Sequence, residues 1–490
     1  MCKICYNFSA HNYKLKKGSD DMISMQDVLS TLNEYLYSYI LIALLIGAGL
    51  YFTIRTKFVQ FRLLKDGISL LSEKAHKEDG VSSFQALMIS TASRVGTGNI
   101  AGVATAISAG GAGAVFWMWI TALIGGASAF IESTLAQIYK EKDGDQFVGG
   151  PAYFIQKALG QRWLGIVFSI LLIACFAFGF NALQSYNVSS SVEYYFNDSK
   201  AVALGVGIIL AILTALVIFG GVHRIGVISS VVVPFMAIIY ILIGIYIIIM
   251  NITELPHIFY SIFSEAFNFK AIFGGFVGSC VMYGIKRGLF SNEAGMGSAP
   301  NAAATADVSH PVKQGLVQTI SVFIDTFLIC TSTAFMLLCY GVDKNLSGMP
   351  YMQAALNSQI GEIGIHFITL SIFLFAFTTL IGNYCYAEGN LKFITNNKTA
   401  LFIFRIVCLL AIFFGAQAGF NTVWDLADIL MGFMAILNII VILLLGNIVV
   451  KCMKDYQTQR KAGKDPVFHP EKLDIQHAEC WKDIVKEYEK

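Results

Sequence analysis

Eleven apolar runs, most close to 20 residues long, recur along this 490-residue chain and leave few architectures open. They lie at roughly 35–54, 84–107, 114–138, 163–183, 201–219, 228–250, 271–289, 314–339, 364–387, 399–417 and 422–447. A helix needs about 20 apolar residues to cross a hydrocarbon core about 30 Å thick. Backbone polar groups in lipid must be satisfied internally, so only helices or closed barrels cross, and barrels show alternating segments of about 10 residues. These runs are continuous. The expectation is an all-α membrane protein with about 11 transmembrane helices. Composition agrees: 56% of residues are apolar and 13% charged, against about 25% charged in soluble domains.

Lysine and arginine set the expected orientation, because cytoplasmic loops retain positive charge. With loop 55–83 taken as cytoplasmic, 25 of the 34 Lys and Arg fall on that side, Lys286, Arg287 and Lys313 among them. Seven fall opposite, and Arg94 and Arg405 lie within spans. The asymmetry predicts an outside N-terminus, a cytoplasmic C-terminus and an odd number of spans. Residues 1–34 read as a polar extracytoplasmic tail without the apolar stretch and cleavage site of a secretory signal. Its four lysines on a translocated side point to Met22 or Met25 as the start. Residues 448–490 read as a charged cytoplasmic tail with a final amphipathic turn and no chemistry of its own. The ten cysteines are scattered; Cys2 and Cys5 form one CxxC-like pair with no second pair, which argues against zinc. A net charge of +2 does not suggest nucleic acid.

Span 84–107 holds Gly96-Thr97-Gly98-Asn99 near its middle, and two readings stand. Gly98, Ala101, Gly102 and Ala104 would let membrane helices pack closely. Alternatively the helix breaks at the midplane, offering N–H groups to a carboxylate and carbonyls to Na⁺. A similar signal, Gly274-Gly275-Phe276-Val277-Gly278-Ser279, recurs five spans later. Paired interrupted spans in two halves point to an inverted-repeat transporter site, although here spacing alone carries the repeat. Ionisable residues inside spans default to functional candidates: Arg94, Glu132, Asp325 and Arg405. Glu132 and Arg405 also suit interfaces, where they snorkel or pair. Arg94 lies deeper and reads as a fixed positive charge, paired with a carboxylate such as Glu132 or Asp325, either structurally or beside the site. The adjacent hydroxyls of Thr378 and Thr379 either bond back to the preceding turn or serve as hard ligands for an alkali cation.

Four segments give the chain a family likeness: SSFQALMISTASRVGTGNIAGVATAI (82–107), GAVFWMWITALIGGASAFIESTLAQIY (113–139), RGLFSNEAGMGSAPNAAATA (287–306) and HPVKQGLVQTISVFIDTFLICTSTA (310–334). The stretch DGDQFVGGPAYFIQKALG (143–160) agrees. From about Leu41 to about Gly446 the chain resembles the alanine-or-glycine:cation symporters of bacteria and archaea. The combination of GTGNIAGVATA with FSNEAGMGSAP is highly specific. The resemblance implies a leucine-transporter-type 5+5 inverted repeat: residues 84–250 as the first five-helix repeat, 271–447 as the second, and 35–54 as an extra N-terminal helix. It implies broken helices at the second and seventh spans, with the substrate carboxylate on the N–H groups of Gly96, Thr97 and Gly98. Sodium would be held by the carbonyls of Ala92, Val95 and Phe375 and the hydroxyls of Thr378 and Thr379. Asn99, Gln184, Gly275, Phe276, Ser279 and Asn383 complete the expected substrate set, with Phe276 walling the pocket. Two departures bear on specificity. Arg94 stands where many relatives have a small or polar residue, in a Ser-Arg-Val-Gly subset partly linked to glutamine. Asn383 replaces an aromatic. Both point to a larger or more polar side-chain pocket. FSNEAGMGSAP reads as a cytoplasmic gate or hinge in which Asn292 and Glu293 cap helices.

The function expected is secondary active symport in a prokaryotic inner membrane. Na⁺ entry would drive uptake of a small neutral amino acid: alanine or glycine, with glutamine open. An H⁺-coupled carrier and a channel or facilitator are the alternatives. A channel needs a continuous polar pore, which such apolar spans do not obviously line. An enzyme is disfavoured, because no GxSxG, nucleotide motif or ligand-spaced His/Cys set is present. The expected partners are the amino acid and lipid, and oligomeric state is open.

Overall fold

The computed structural model describes residues 25–76, 80–144, 146–268 and 279–488. The second glycine-rich stretch, with Gly275 and Phe276, lies outside them. In chain order the principal elements are α1 (Gln26–Arg55), α2 (Ser83–Arg94), α3 (Val103–Gly110), α4 (Gly113–Ile138), α5 (Arg162–Tyr195), α6 (Ser199–Ile218), α7 (Val227–Met250), α8 (Cys280–Asn292), α9 (Pro311–Tyr340), α10 (Glu362–Ile394), α11 (Lys398–Gly415) and α12 (Phe420–Lys461). Nine of these, all but α2, α3 and α8, are long and apolar enough to cross a membrane among the described residues. The expected span 84–107 is the interrupted pair α2 and α3. The only β-structure among the described residues beyond an isolated bridge is a hairpin, Glu141–Asp143 with Gln146–Val148.

Local chemistry sets the ends. Ser82 starts α2 with a reciprocal cap: its hydroxyl accepts from the Gln85 N–H, and the Gln85 side chain accepts from the Ser82 N–H. The first helix is already formed at Gln26, nine residues before the expected start at 35. Its polar opening turns are not a free tail, because Gln26 and Asn33 donate to Asp425 of α12 at 2.6 and 2.8 Å.

One face gathers the loop after α1 and the chain after α12. Lys313 bridges Glu73 at 2.6 Å and Asp465 at 2.9 Å, and Arg460 meets Asp66 at 3.4 Å. The tail on this face, read from the sequence as a charged segment with a final amphipathic turn, is packed. Phe468 and Trp481 are fully buried, with ring centroids 5.0 Å apart. The Trp481 indole donates to the Gln137 carbonyl at 3.0 Å. Ser309 donates to the Pro466 carbonyl at 2.7 Å, and the Phe468 N–H returns a bond to the Ser309 carbonyl at 3.0 Å. Apolar residues spaced along an otherwise charged segment supply this burial.

Two expectations about charge need correction. Lys286 and Arg287 are not loop residues. They lie inside α8, buried, and both bind Asp428 of α12. Arg287 makes two hydrogen bonds to it, at 3.0 and 2.7 Å, and stacks 4.2 Å from the Trp424 centroid. Glu132 is not at an interface either. It is fully buried and accepts from the Gly295 and Gly297 N–H groups at 3.2 and 3.1 Å and from Asn438 at 2.7 Å. Burial forces such charges to find donors or counter-ions. Asp428→Ala would strand two buried cations, an expected loss of about 3–5 kcal/mol. A thermal melt in detergent checks this, and an unchanged midpoint would show that the pair is not structural.

Candidate substrate and cation site at a broken helix

The helix α2 ends because Val95 leaves helical space (φ −76°, ψ 86°), and winding resumes as a π-turn over Gly98–Gly102. The break releases backbone N–H groups, and buried N–H groups need acceptors. Gly96 donates to the Asn99 side-chain oxygen and Thr97 to Gln184 Oε1, both at 3.0 Å. Thus Gln184, carried on α5, meets the break directly. Both glycines are needed for space. A Cβ on Gly96 would lie 2.5 Å from the Thr379 hydroxyl, and one on Gly98 would lie 2.6 Å from the Phe290 ring.

The cation candidates are brought together unevenly. Thr379 Oγ1 donates to the Ala92 carbonyl at 3.0 Å and the Val95 carbonyl at 3.2 Å, bridging α10 to the break. Thr378 bonds back to its own helix, to Leu374 O at 3.1 Å and Phe375 O at 3.0 Å, with Met236 sulfur at 3.9 Å. The two adjacent hydroxyls therefore divide the two readings between them. Three oxygens, all hard, converge at Thr379. The two carbonyls share the hydroxyl proton, and hard oxygens of this kind are ligands that suit an alkali cation.

Asn99 does more than cap Gly96. Its amide nitrogen donates to Asp325 at 2.6 Å and Ser291 Oγ at 2.9 Å, and Ser291 donates to Asp325 at 2.7 Å. Asp325 sits in a π-turn of α9 (Ile324–Cys330). Such turns recur at functional positions, and this one presents a carboxylate to α8 and the break together. Asn383 is held by Ser93 at 2.9 Å and by Asn181 at 3.1 Å. Ser279 stands apart from these groups: it caps α8 by accepting from the Met282 N–H and lines a cavity of about 1060 Å³ at the face opposite the tail.

Arg94 is buried, yet none of its guanidinium nitrogens has a hydrogen-bond partner among the described residues. The expected direct pairing with Glu132 or Asp325 is not made, because their oxygens already accept from other donors. Arg94 acts on both carboxyls electrostatically, and on Glu293 as well. Arg405 is partly buried on α11, donating to the Tyr384 hydroxyl at 2.9 Å, with Glu388 at 3.8 Å. Glu293 was expected only to cap a helix. It is buried at a left-handed φ of 55°, with Ser298 donating at 2.6 Å and Ser93 at 3.3 Å. A lone acid in the apolar, glycine-rich segment 288–300 was the signal available for it.

Residues 22–470 match the model of the sodium:alanine symporter family. The chain belongs to that family. It is therefore a multi-pass membrane protein of a transporter family. It is 51% identical to the amino-acid carrier protein AlsT of Bacillus subtilis, over 93% of this chain and 97% of that one. It is 47% identical to the probable sodium/glutamine symporter GlnT of the same organism, covering 93% and 96%. Identity to the sodium/alanine symporter AgcS of Methanococcus maripaludis is 39%, covering 90% and 98%.

Proposed function

We propose that this protein couples Na⁺ entry to uptake of a small neutral amino acid, alanine or glycine, by alternating access in a leucine-transporter-type 5+5 repeat with its tail face in the cytoplasm. The observation that carries the reading is the meeting of the Ala92 and Val95 carbonyls with the Thr379 hydroxyl at a helix break. Na⁺ is carried rather than resident; these three oxygens would hold it, the Thr379 hydroxyl keeping its proton and turning a lone pair toward the ion. The carbonyls of Ala92 and Val95 anchor it to the break, so binding it fixes the same backbone whose N–H groups face Gln184 and Asn99. The substrate carboxylate would take over donors at Gly96–Gly98 from those amides, gaining from the dipole of the resumed helix. Na⁺ and substrate then stabilise one arrangement of the break, which is what coupling requires. The relatives named a sodium/alanine symporter and a probable sodium/glutamine symporter support the substrate class.

The test is uptake of labelled alanine into proteoliposomes with and without a Na⁺ gradient. Uptake is expected to require Na⁺. Glycine should compete well and alaninamide poorly, since the amide lacks the carboxylate. Equal competition by alaninamide would remove the carboxylate from the mechanism.

Two relatives are named sodium/proton-dependent carriers, from Bacillus subtilis and Bacillus sp. PS3. Asp325 favours keeping a proton-coupled reading beside the first, as a fully buried carboxyl joining Asn99 to Ser291. A proton gradient alone driving uptake would select it.

A further inference from the structure

We propose that Arg94, Glu293 and Tyr386 form a second amino-acid subsite on the tail-face side of the break, where a zwitterion's carboxylate meets the guanidinium and its ammonium meets the Glu293 carboxylate. The proposal rests on the amino-acid reading above. Arg94 closes α2, one residue before Val95 and on the tail-face side of Gly96. It is 2% exposed, and its Nε and both terminal nitrogens lack partners among the described residues. Three buried carboxyls lie within its electrostatic reach: Glu132, Glu293 and Asp325. Each directs its oxygens to other donors. Glu132 accepts from Gly295, Gly297 and Asn438, Asp325 from Asn99 and Ser291, and Glu293 from Ser93 and Ser298. Arg94 is thus charge-balanced at a distance while its planar fork stays unused. The group that matches such a fork is a carboxylate, which can accept two parallel N–H bonds.

The ammonium half has its counterpart in the same place. Of the three carboxyls, Glu293 is the one joined to Arg94's chain neighbour, through Ser93 Oγ. Its φ of 55° is a strained setting that glycine would occupy more easily. Retaining a carboxyl there is explained if the carboxyl is used. Tyr386 supplies the way out. Its hydroxyl is buried beside Ser93, the residue whose own hydroxyl meets Glu293, and its side chain borders a cavity of about 180 Å³. Asn301, Glu388 and Lys392 line the same cavity toward the tail face. An amino acid leaving Gly96–Gly98 would meet Arg94 before it reached this cavity.

The test uses the full-length protein in proteoliposomes, with half-saturating L-alanine measured separately from each face. Tyr386→Phe deletes one hydroxyl, and Arg94→Lys keeps the charge but loses the fork. Each is expected to raise half-saturating alanine at the tail face by at least about tenfold and at the opposite face by less than about twofold. Unchanged values at both faces in both variants would overturn the subsite. So would equal weakening at both faces, which would mark Arg94 as a structural counter-charge. Should Arg94→Lys fail to fold, Tyr386→Phe alone decides by the same criterion. Failure of the wild type to transport alanine from either face would instead overturn the functional reading, and the subsite with it.

Discussion

Gly98→Leu is expected to abolish alanine binding in protein that still inserts and folds. A Cβ at this position already falls 2.6 Å from the Phe290 ring, well inside contact distance. The remaining three carbons of leucine have to displace that ring. Phe290 has little room to move: its centroid lies 4.7 Å from that of Phe180 and 5.4 Å from that of Trp424. Leucine also favours a continuous helix where glycine tolerates a break. Steric overlap and lost donors together should weaken binding by at least about a hundredfold, about 2.7 kcal/mol. Equilibrium binding of labelled alanine to purified protein measures it. Gly102→Ala is the control, because its added carbon meets Trp424 at an ordinary 3.6 Å. It should bind within about threefold of wild type. Wild-type affinity in Gly98→Leu would place the substrate elsewhere.

Thr379→Val should raise the Na⁺ concentration for half-maximal uptake by at least about tenfold, which corresponds to about 1.4 kcal/mol. Valine keeps the shape and removes the one side-chain oxygen that meets both Ala92 and Val95. Thr378→Val should matter less, about threefold or below, because that hydroxyl is spent on its own helix. Na⁺ titrations of uptake separate the two. Equal effects would mean that Thr378 rotates to face the cation, and no effect in either would move the Na⁺ site away from α10.

Much of this arrangement was legible from residue order, and the failures have physical causes. Long apolar runs marked the crossing helices, since lipid permits few alternatives. The glycines at 96 and 98 marked the break, because mid-span small residues are either packing surfaces or interruptions. What periodicity cannot show is where a polar side chain finds its partner. Lys286 and Arg287 sat beside a loop-like motif and counted as loop charge, and only Asp428, about 140 residues away, draws them inside. Glu293 was hidden in the same way, since its donors come from α2 and from the turn that follows it. Arg94 was singled out correctly as deep, but its partners were taken by nearer donors. Gln184 carried no pattern of its own and entered the expected set only through the family resemblance.

The packed tail changes how this protein can be handled. The tail segment covers Lys140 and His310, so that face of the helix bundle is complete only with the tail docked on it. Lys140 lies 4.8 Å from the Trp481 ring centroid, and His310 lies 5.5 Å from that of Phe468. A reporter inserted near Lys464 would separate both aromatics from the bundle and leave those buried side chains exposed to water. Its readout would then mix sidedness with damage. Tags and topology reporters belong beyond Tyr488, where the final helix Trp481–Tyr488 has already docked.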